Sequence, residues 1–287
     1  MKRNLFIFLS LSVLAVLIGL GISFLGNNAG AKGAIVLTDK NAIVLREAVT
    51  GESVSNIMQQ MLHLNEKESA GKPLYLVLDT PGGSVVDGAQ LIDFANSLGR
   101  PVHTISLIAF SMGFQIVQGL GERHVLPTSI LMSHRAKGSI SGEFGGQSKS
   151  QIENRFSFWN QLIEQFDIRT VERTNGKQTL ASYQAAYENE LWLFGKQAVE
   201  QGYADKVSVV RCDNSLSGTK DGNVVLFGFK INVTFSACPL ISSPITVKVN
   251  NLDDSPLISQ ELHDKIVKEI MFKYSLEGKK QEARLYF

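Results

Sequence analysis

Three short stretches carry residue types that can act on a carbonyl group. The first, Asp79-Thr80-Pro81-Gly82-Gly83-Ser84-Val85, follows a continuous apolar run at 74–78. Adjacent glycines let a chain turn sharply and present amide N–H groups with no side chain in the way, as an oxyanion hole requires. The second, Ala109-Phe110-Ser111-Met112-Gly113, sets a serine between a strand pattern and a helical one. A serine in the first turn of a helix feels the positive end of the macrodipole, which favours a developing alkoxide. The N–H of Met112 would point at the same spot. The third, Leu131-Met132-Ser133-His134-Arg135, ends a short apolar run on a histidine. Imidazole is the side chain best suited to take a proton from serine near neutral pH. Taken singly, each stretch has a plain reading: a turn, a helix N-cap, an edge residue.

The surrounding elements alternate in periodicity. Strands are expected at 34–37, 42–45, 74–78, 102–107, 123–126 and 130–133, and helices at 53–64, 86–98, from Ser111 onward, and at 151–166, 180–192 and 196–201. This alternation predicts an α/β domain, with helices packed on a mostly parallel sheet. A Gly- and Ser-rich loop at 138–150 interrupts it, and the domain ends near Val207. Beyond, a hairpin-like pattern at 223–234, a strand at 245–249 and an amphipathic helix at 260–274 describe a small α+β appendage.

The N-terminus has a different character. Lys2 and Arg3 precede an uncharged run over 4–31 whose apolar heart, 5–25, would span roughly 30 Å as a helix, enough to cross a bilayer. The length favours an uncleaved transmembrane anchor, and Ala29-Gly30-Ala31 offers a cleavage site for the alternative, a removed signal. Basic residues ahead of the run predict that everything after it is exported, to the periplasmic or extracellular side. Three regions follow: 1–33 as anchor or signal and linker, 34–207 as the α/β domain, and 208–287 as the appendage. Hydrophobic residues make up 44% and charged residues 19%, and the formal net charge of +1 gives no field for nucleic acid. Cys212 and Cys238 form a disulfide across the appendage or remain two free thiols. No cluster of His, Cys, Asp and Glu shows ligand spacing, so neither metal nor cofactor is expected.

In combination and in order, PGGSV, FSMG and LMSH resemble the Clp protease proteolytic subunit family, over about 34–207. The resemblance implies the Clp protease/crotonase-like fold of repeated ββα units and a serine-type endopeptidase acting on peptides or unfolded protein. It implies Ser111 as nucleophile, His134 as base, and the amides of Gly83 and Met112 as the oxyanion hole. Peptides would bind as an added strand along Ser84, Val85 and Val86, and beside 135–138. The family's acid lies ahead of a helix reading E-A-V-E and a G-L-V-D segment. Here Gln197-Ala198-Val199-Glu200 and Gly202-Tyr203-Ala204-Asp205 match those, which puts Glu190 on the acid and Trp192 on an aromatic position. Glu190 is one methylene longer than the usual Asp; Asp205 and Asp167 are the other candidates. The resemblance further implies a ring-like homo-oligomer with contacts along 151–166. An exported domain would be out of reach of cytosolic Clp ATPases, so no such partner is expected.

Three other readings stand beside this one. A Ser–Lys dyad of the signal peptide peptidase A type would use Lys137 or Lys149. A Clp-like domain with an altered acid could be an inactive assembly module. A crotonase-type acyl-CoA enzyme shares the fold but has no use for the Ser/His pair.

Overall fold

The structure, a computed structural model, describes residues 33–67, 71–136, 148–226, 229–250 and 260–285. The expected anchor and Lys137 lie outside the described residues. Among the described residues no helix is long and apolar enough to cross a membrane.

The described residues open with two short strands, Ile35–Leu37 (β1) and Ala42–Leu45 (β2), and a helix, Gly51–Lys67 (α1). Then come Leu74–Thr80 (β3), Val85–Ser97 (α2), Val102–Phe110 (β4), Met112–Gly119 (α3) and Arg123–Ser133 (β5). Strands β2, β3, β4 and β5 are parallel and adjacent in chain order. Successive crossovers of one hand put all three intervening helices on the same face. Each helix buries an apolar stripe there: Val54, Ile57, Met61 and Leu64 of α1 recur at helical spacing and join Leu91 and Ile92 of α2 and Ile116 of α3. Strand β3 is apolar over 74–78, ahead of Asp79 and Thr80, because both its faces are covered. Leu74, Leu76 and Leu78 enter the helix-side core, while Tyr75 and Val77 pack on the other side with Leu37 and Leu216.

The second half begins with a long helix, Lys149–Glu172 (α4), and a short one, Leu180–Tyr187 (α5). Leu191–Phe194 (β6) adds antiparallel to β5, Gly195–Glu200 (α6) follows, and Lys206–Val207 (β7) pairs with the start of β5. Val210–Cys212 (β8) pairs in parallel with β1. Thr219–Leu226 (β9), Phe229–Ser236 (β10) and Thr246–Asn250 (β11) form an antiparallel sheet in the order β11-β10-β9. Gln260–Lys273 (α7) packs on it through Ile266 and Ile270, and Leu276–Leu285 (α8) is the last described element. A disulfide joins Cys212 to Cys238, tying β8 to the segment after β10.

Three expectations change. The strands expected at 123–126 and 130–133 are one strand, β5, whose register against β4 shifts between Ser106 and Ile108. Pro127 is tolerated there because the slipped residues make no ladder bond, and Ser129 Oγ instead accepts from Leu126 N–H and donates to Ser106 O. The helix expected over 180–192 stops at Tyr187: Glu190, at φ 64°, turns the chain and Leu191–Phe194 becomes a strand. The terminal helix α8 was not expected at all.

Candidate active site

Ser111 sits at the junction of β4 and α3 with φ 52° and ψ −117°. A positive φ is costly for a residue with a Cβ, so the surrounding structure must impose it. Its amide donates to Met132 O at 2.8 Å, which locks the turn onto β5. Its side chain makes no capping bond, so Oγ is not spent on the helix. The unused first-turn N–H groups of α3, beginning with Met112, converge on the same region with the positive end of the helix dipole.

The Pro81-Gly82-Gly83 turn lies directly against this elbow. A Cβ on Gly82 would stand 2.5 Å from Phe110 O, 2.6 Å from Ser111 Cβ and 2.9 Å from Met112 N, so only glycine fits. Gly83, at φ 143°, forms a parallel bridge with Val49. The bridge uses the Val49 amide on Gly82 O and the Ser84 amide on Val49 O, which leaves the Gly83 N–H outside it. Of the three residues expected to bind peptide, Ser84 caps α2 by accepting from Asp87 N–H, and Val85 and Val86 are helical. Val85 and Val86 therefore offer no extended edge for an added strand. Val85 lines the cleft; Val86 is 56% exposed.

Ser111, Met112 and His134 line one cleft with Val85, Gln115, Ile163, Phe166, Asp167 and Tyr187. His134 follows directly on β5, and its Nδ1 lies 2.7 Å from Arg135 O. A carbonyl only accepts, so Nδ1 carries the proton and the neutral ring keeps its lone pair on Nε2. That is the tautomer a base needs. Behind it, Ser133 Oγ is 2.8 Å from the buried Tyr183 hydroxyl, and burial pushes Tyr183 up to about 12. The cleft continues past Arg135, Asn160, Glu164 and Glu188.

The acids are distributed differently from the sequence pattern. The carboxylate of Glu190 accepts from Trp192 Nε1 at 2.9 Å. Asp167, on α4, lies in the cleft wall and is 3% exposed. Burial raises its pKa, only partly offset by hydrogen bonds from Tyr187 OH at 2.6 Å and Gln184 Nε2 at 3.1 Å. Asp205 lies elsewhere, paired with the buried Arg123 at 2.6 Å. Lys149, 90% exposed at the start of α4, pairs with Glu153. Asp167 carried only a weak sequence signal, because a helix read in isolation does not reveal which turn folds back over a serine.

One group with metal-ligand atoms exists among the described residues: His103, Glu122 and His124, all within 4.8 Å of one another. Its donors already have protein partners. Glu122 N–H donates to His103 Nδ1, Lys206 Nζ holds Glu122 Oε1 at 2.8 Å, and Ser208 Oγ lies 2.9 Å from His124 Nδ1. A metal there would displace a lysine.

The family model described as Clp protease matches residues 29–211. The ATP-dependent Clp protease proteolytic subunit 2 of Synechococcus sp. (strain CC9605) is 33% identical over 174 residues, 60% of this chain and 84% of that protein. The same subunit of Parasynechococcus marenigrum (strain WH8102) matches equally well. The ATP-dependent Clp protease proteolytic subunit of Streptococcus pneumoniae (strain 70585) is 27% identical over 182 residues, 62% of this chain and 88% of that protein.

Proposed function

The chain belongs to the Clp protease family, a family of serine-type peptidases, and from that premise we propose that it is an endopeptidase hydrolysing peptide bonds through Ser111 and His134. The observation that carries this reading is the shared cleft in which a strained serine at a helix N-terminus meets a histidine whose Nδ1 is turned to the Arg135 carbonyl. Ser111 Oγ attacks the scissile carbonyl as Nε2 takes its proton; the carbonyl oxygen, now negative, is met by the amides of Gly83 and Met112. The proton then passes to the leaving amine, and water, deprotonated by the same imidazole, releases the acyl group. The Arg135 carbonyl orients the ring from the Nδ1 side in the resting state.

In this proposal the third member is Glu190, which must exchange its Trp192 bond for the imidazole during turnover. A second reading gives that part to Asp167, favoured by its place in the cleft wall. Replacing each by its amide separates them: the orienting acid's variant loses about 10⁴-fold in kcat, as expected when the tautomer is no longer enforced, and the other stays close to wild type. The basic test is labelling by a fluorophosphonate probe, mapped to its residue. Label on Ser111, lost in Ser111→Ala and strongly slowed in His134→Ala, supports the proposal; label retained in Ser111→Ala refutes it. Activity that survives His134→Ala but not Lys137→Ala or Lys149→Ala would instead favour a Ser–Lys dyad.

The proposal extends to setting. The run over 4–31 anchors the protein and the peptidase acts outside the cytoplasm, a reading supported by the Cys212–Cys238 disulfide, since such bonds persist in oxidising compartments. The relatives are ATP-dependent by name; here, without an ATPase in reach, the substrates are short, unfolded or membrane-derived peptides, cut by a homo-oligomer. Rapid cleavage of a stably folded protein without added ATPase would count against this.

A further inference from the structure

The family match ends at residue 211, yet residues beyond it touch the carboxyl ends of all four parallel strands. At the end of β2, Arg46 donates to Ile241 O at 2.9 Å and to Cys238 O, and lies over the Phe235 ring. At the ends of β4 and β5, Phe110 and Met132 pack with Ala283 of α8. Phe110 immediately precedes Ser111, and Met132 O holds the Ser111 amide. At the end of β3 stands Asp79, 0% exposed, and Lys279 of α8, 1% exposed, reaches it with Nζ 2.5 Å from Oδ1. Asp79 is the last residue but one of β3, just ahead of the Pro81-Gly82-Gly83 turn. The register of β3 on β4 also shifts between Leu78 and Asp79, so the ladder alone does not fix this end of the strand.

A carboxylate sealed from water needs a cation beside it, and a chain end with a slipped register needs an anchor. Lys279 meets both needs. Arg46, the other cation whose field Asp79 feels, is spent on the carbonyls of the segment after β10. We propose that the C-terminal segment is a positioning element for peptide hydrolysis, with Lys279 a positioning residue that holds Asp79 and thereby aims the Gly83 N–H at the developing oxyanion. The inference rests on the proteolytic reading for its consequence, not for its geometry.

The test compares wild type, Lys279→Met, Asp79→Asn and the double variant in the full chain by hydrogen exchange and by peptide turnover. Lys279→Met is expected to speed exchange roughly tenfold or more at 79–84 and 110–113 while α1 stays protected, and to lower kcat about tenfold or more with KM little changed. The double variant, which leaves no unpaired charge, should return both readings to within about threefold of wild type. Exchange at 79–84 unchanged in Lys279→Met overturns the proposal, and so does a double variant as perturbed as the single. If Lys279→Met does not fold, the double variant decides: folded with protected 79–84 it supports the proposal, unfolded it defeats it. A wild-type protein whose Ser111 takes no fluorophosphonate would defeat the proteolytic reading instead, and leaves the exchange comparison to judge the strut.

Discussion

Two buried cations meet carboxylates at opposite ends of the parallel strands, and they are built differently. At the start of β5, Arg123 binds both oxygens of Asp205 and also Gln118 Oε1 and Arg173 O. Every part of that network lies within the stretch that the family model matches. At the end of β3, Lys279 reaches Asp79 through one ammonium contact, and the lysine comes from outside that stretch. A planar guanidinium with several acceptors is over-determined; a lysine with one partner is a coupling that a single substitution can undo. The far end of the sheet is therefore locked within the matched domain itself, while the Ser111 end draws its buried cation from the appendage.

The largest effect should come from breaking the simpler pair. Lys279→Met leaves a fully buried carboxylate alone and should cost about 3–5 kcal/mol in urea unfolding, with Asp79→Asn in the same chain recovering most of it. Removing the disulfide by Cys212→Ser with Cys238→Ser should cost about 3 kcal/mol by loop closure, read as a lowered denaturation midpoint. If the appendage is the coupled part, that loss should appear with faster exchange in β9 and β10 before β3. Arg123→Met should cost about 2–3 kcal/mol, and adding Asp205→Asn should not recover it, because Gln118 Oε1 and Arg173 O still lack their donor. Recovery there would erase the contrast between the two ends.

A smaller, pH-dependent effect belongs to the far end. Burial pushes His103 and His124 below the ordinary histidine value, more than neighbouring Glu122 pulls them up. The unfolded chain then binds protons that the folded one resists, so stability falls as the pH drops below about 6.5. Thermal midpoints between pH 7 and 5 should decline, and His103→Gln with His124→Gln should flatten that decline. A midpoint that rises on acidification would reverse the sign.

What could be read from the sequence was what is local. The apolar run into Pro81-Gly82-Gly83, the serine between strand and helix, and the histidine after β5 each declare themselves within a few residues. Strand β6 did not, because Leu191-Trp192-Leu193-Phe194 continues the apolar content of α5 and becomes a strand only by pairing with Ile130–Ser133, far off in sequence. Helix α8 was illegible for a related reason. Its largest buried side chain is a lysine, and its core contacts, Leu276 and Ala283, are too sparse to set a period. Glu190 matched a motif position, yet the turn at φ 64° and the nearby indole decide where its carboxylate rests. Side chains that act by reaching across the fold leave little trace in the pattern along it.

The backbone at Ser111 carries one more consequence. At φ 52° and ψ −117° the proposed nucleophile occupies a conformation that glycine adopts freely and serine resists. Ser111→Gly should therefore be both inert and about 1 kcal/mol more stable than wild type, since it relaxes the elbow without removing a buried contact. A chain under selection only to assemble would drift toward that residue. Keeping serine there means holding a spring compressed, and the force that holds it comes from the neighbouring strand, the glycine turn and the helix docked beneath them.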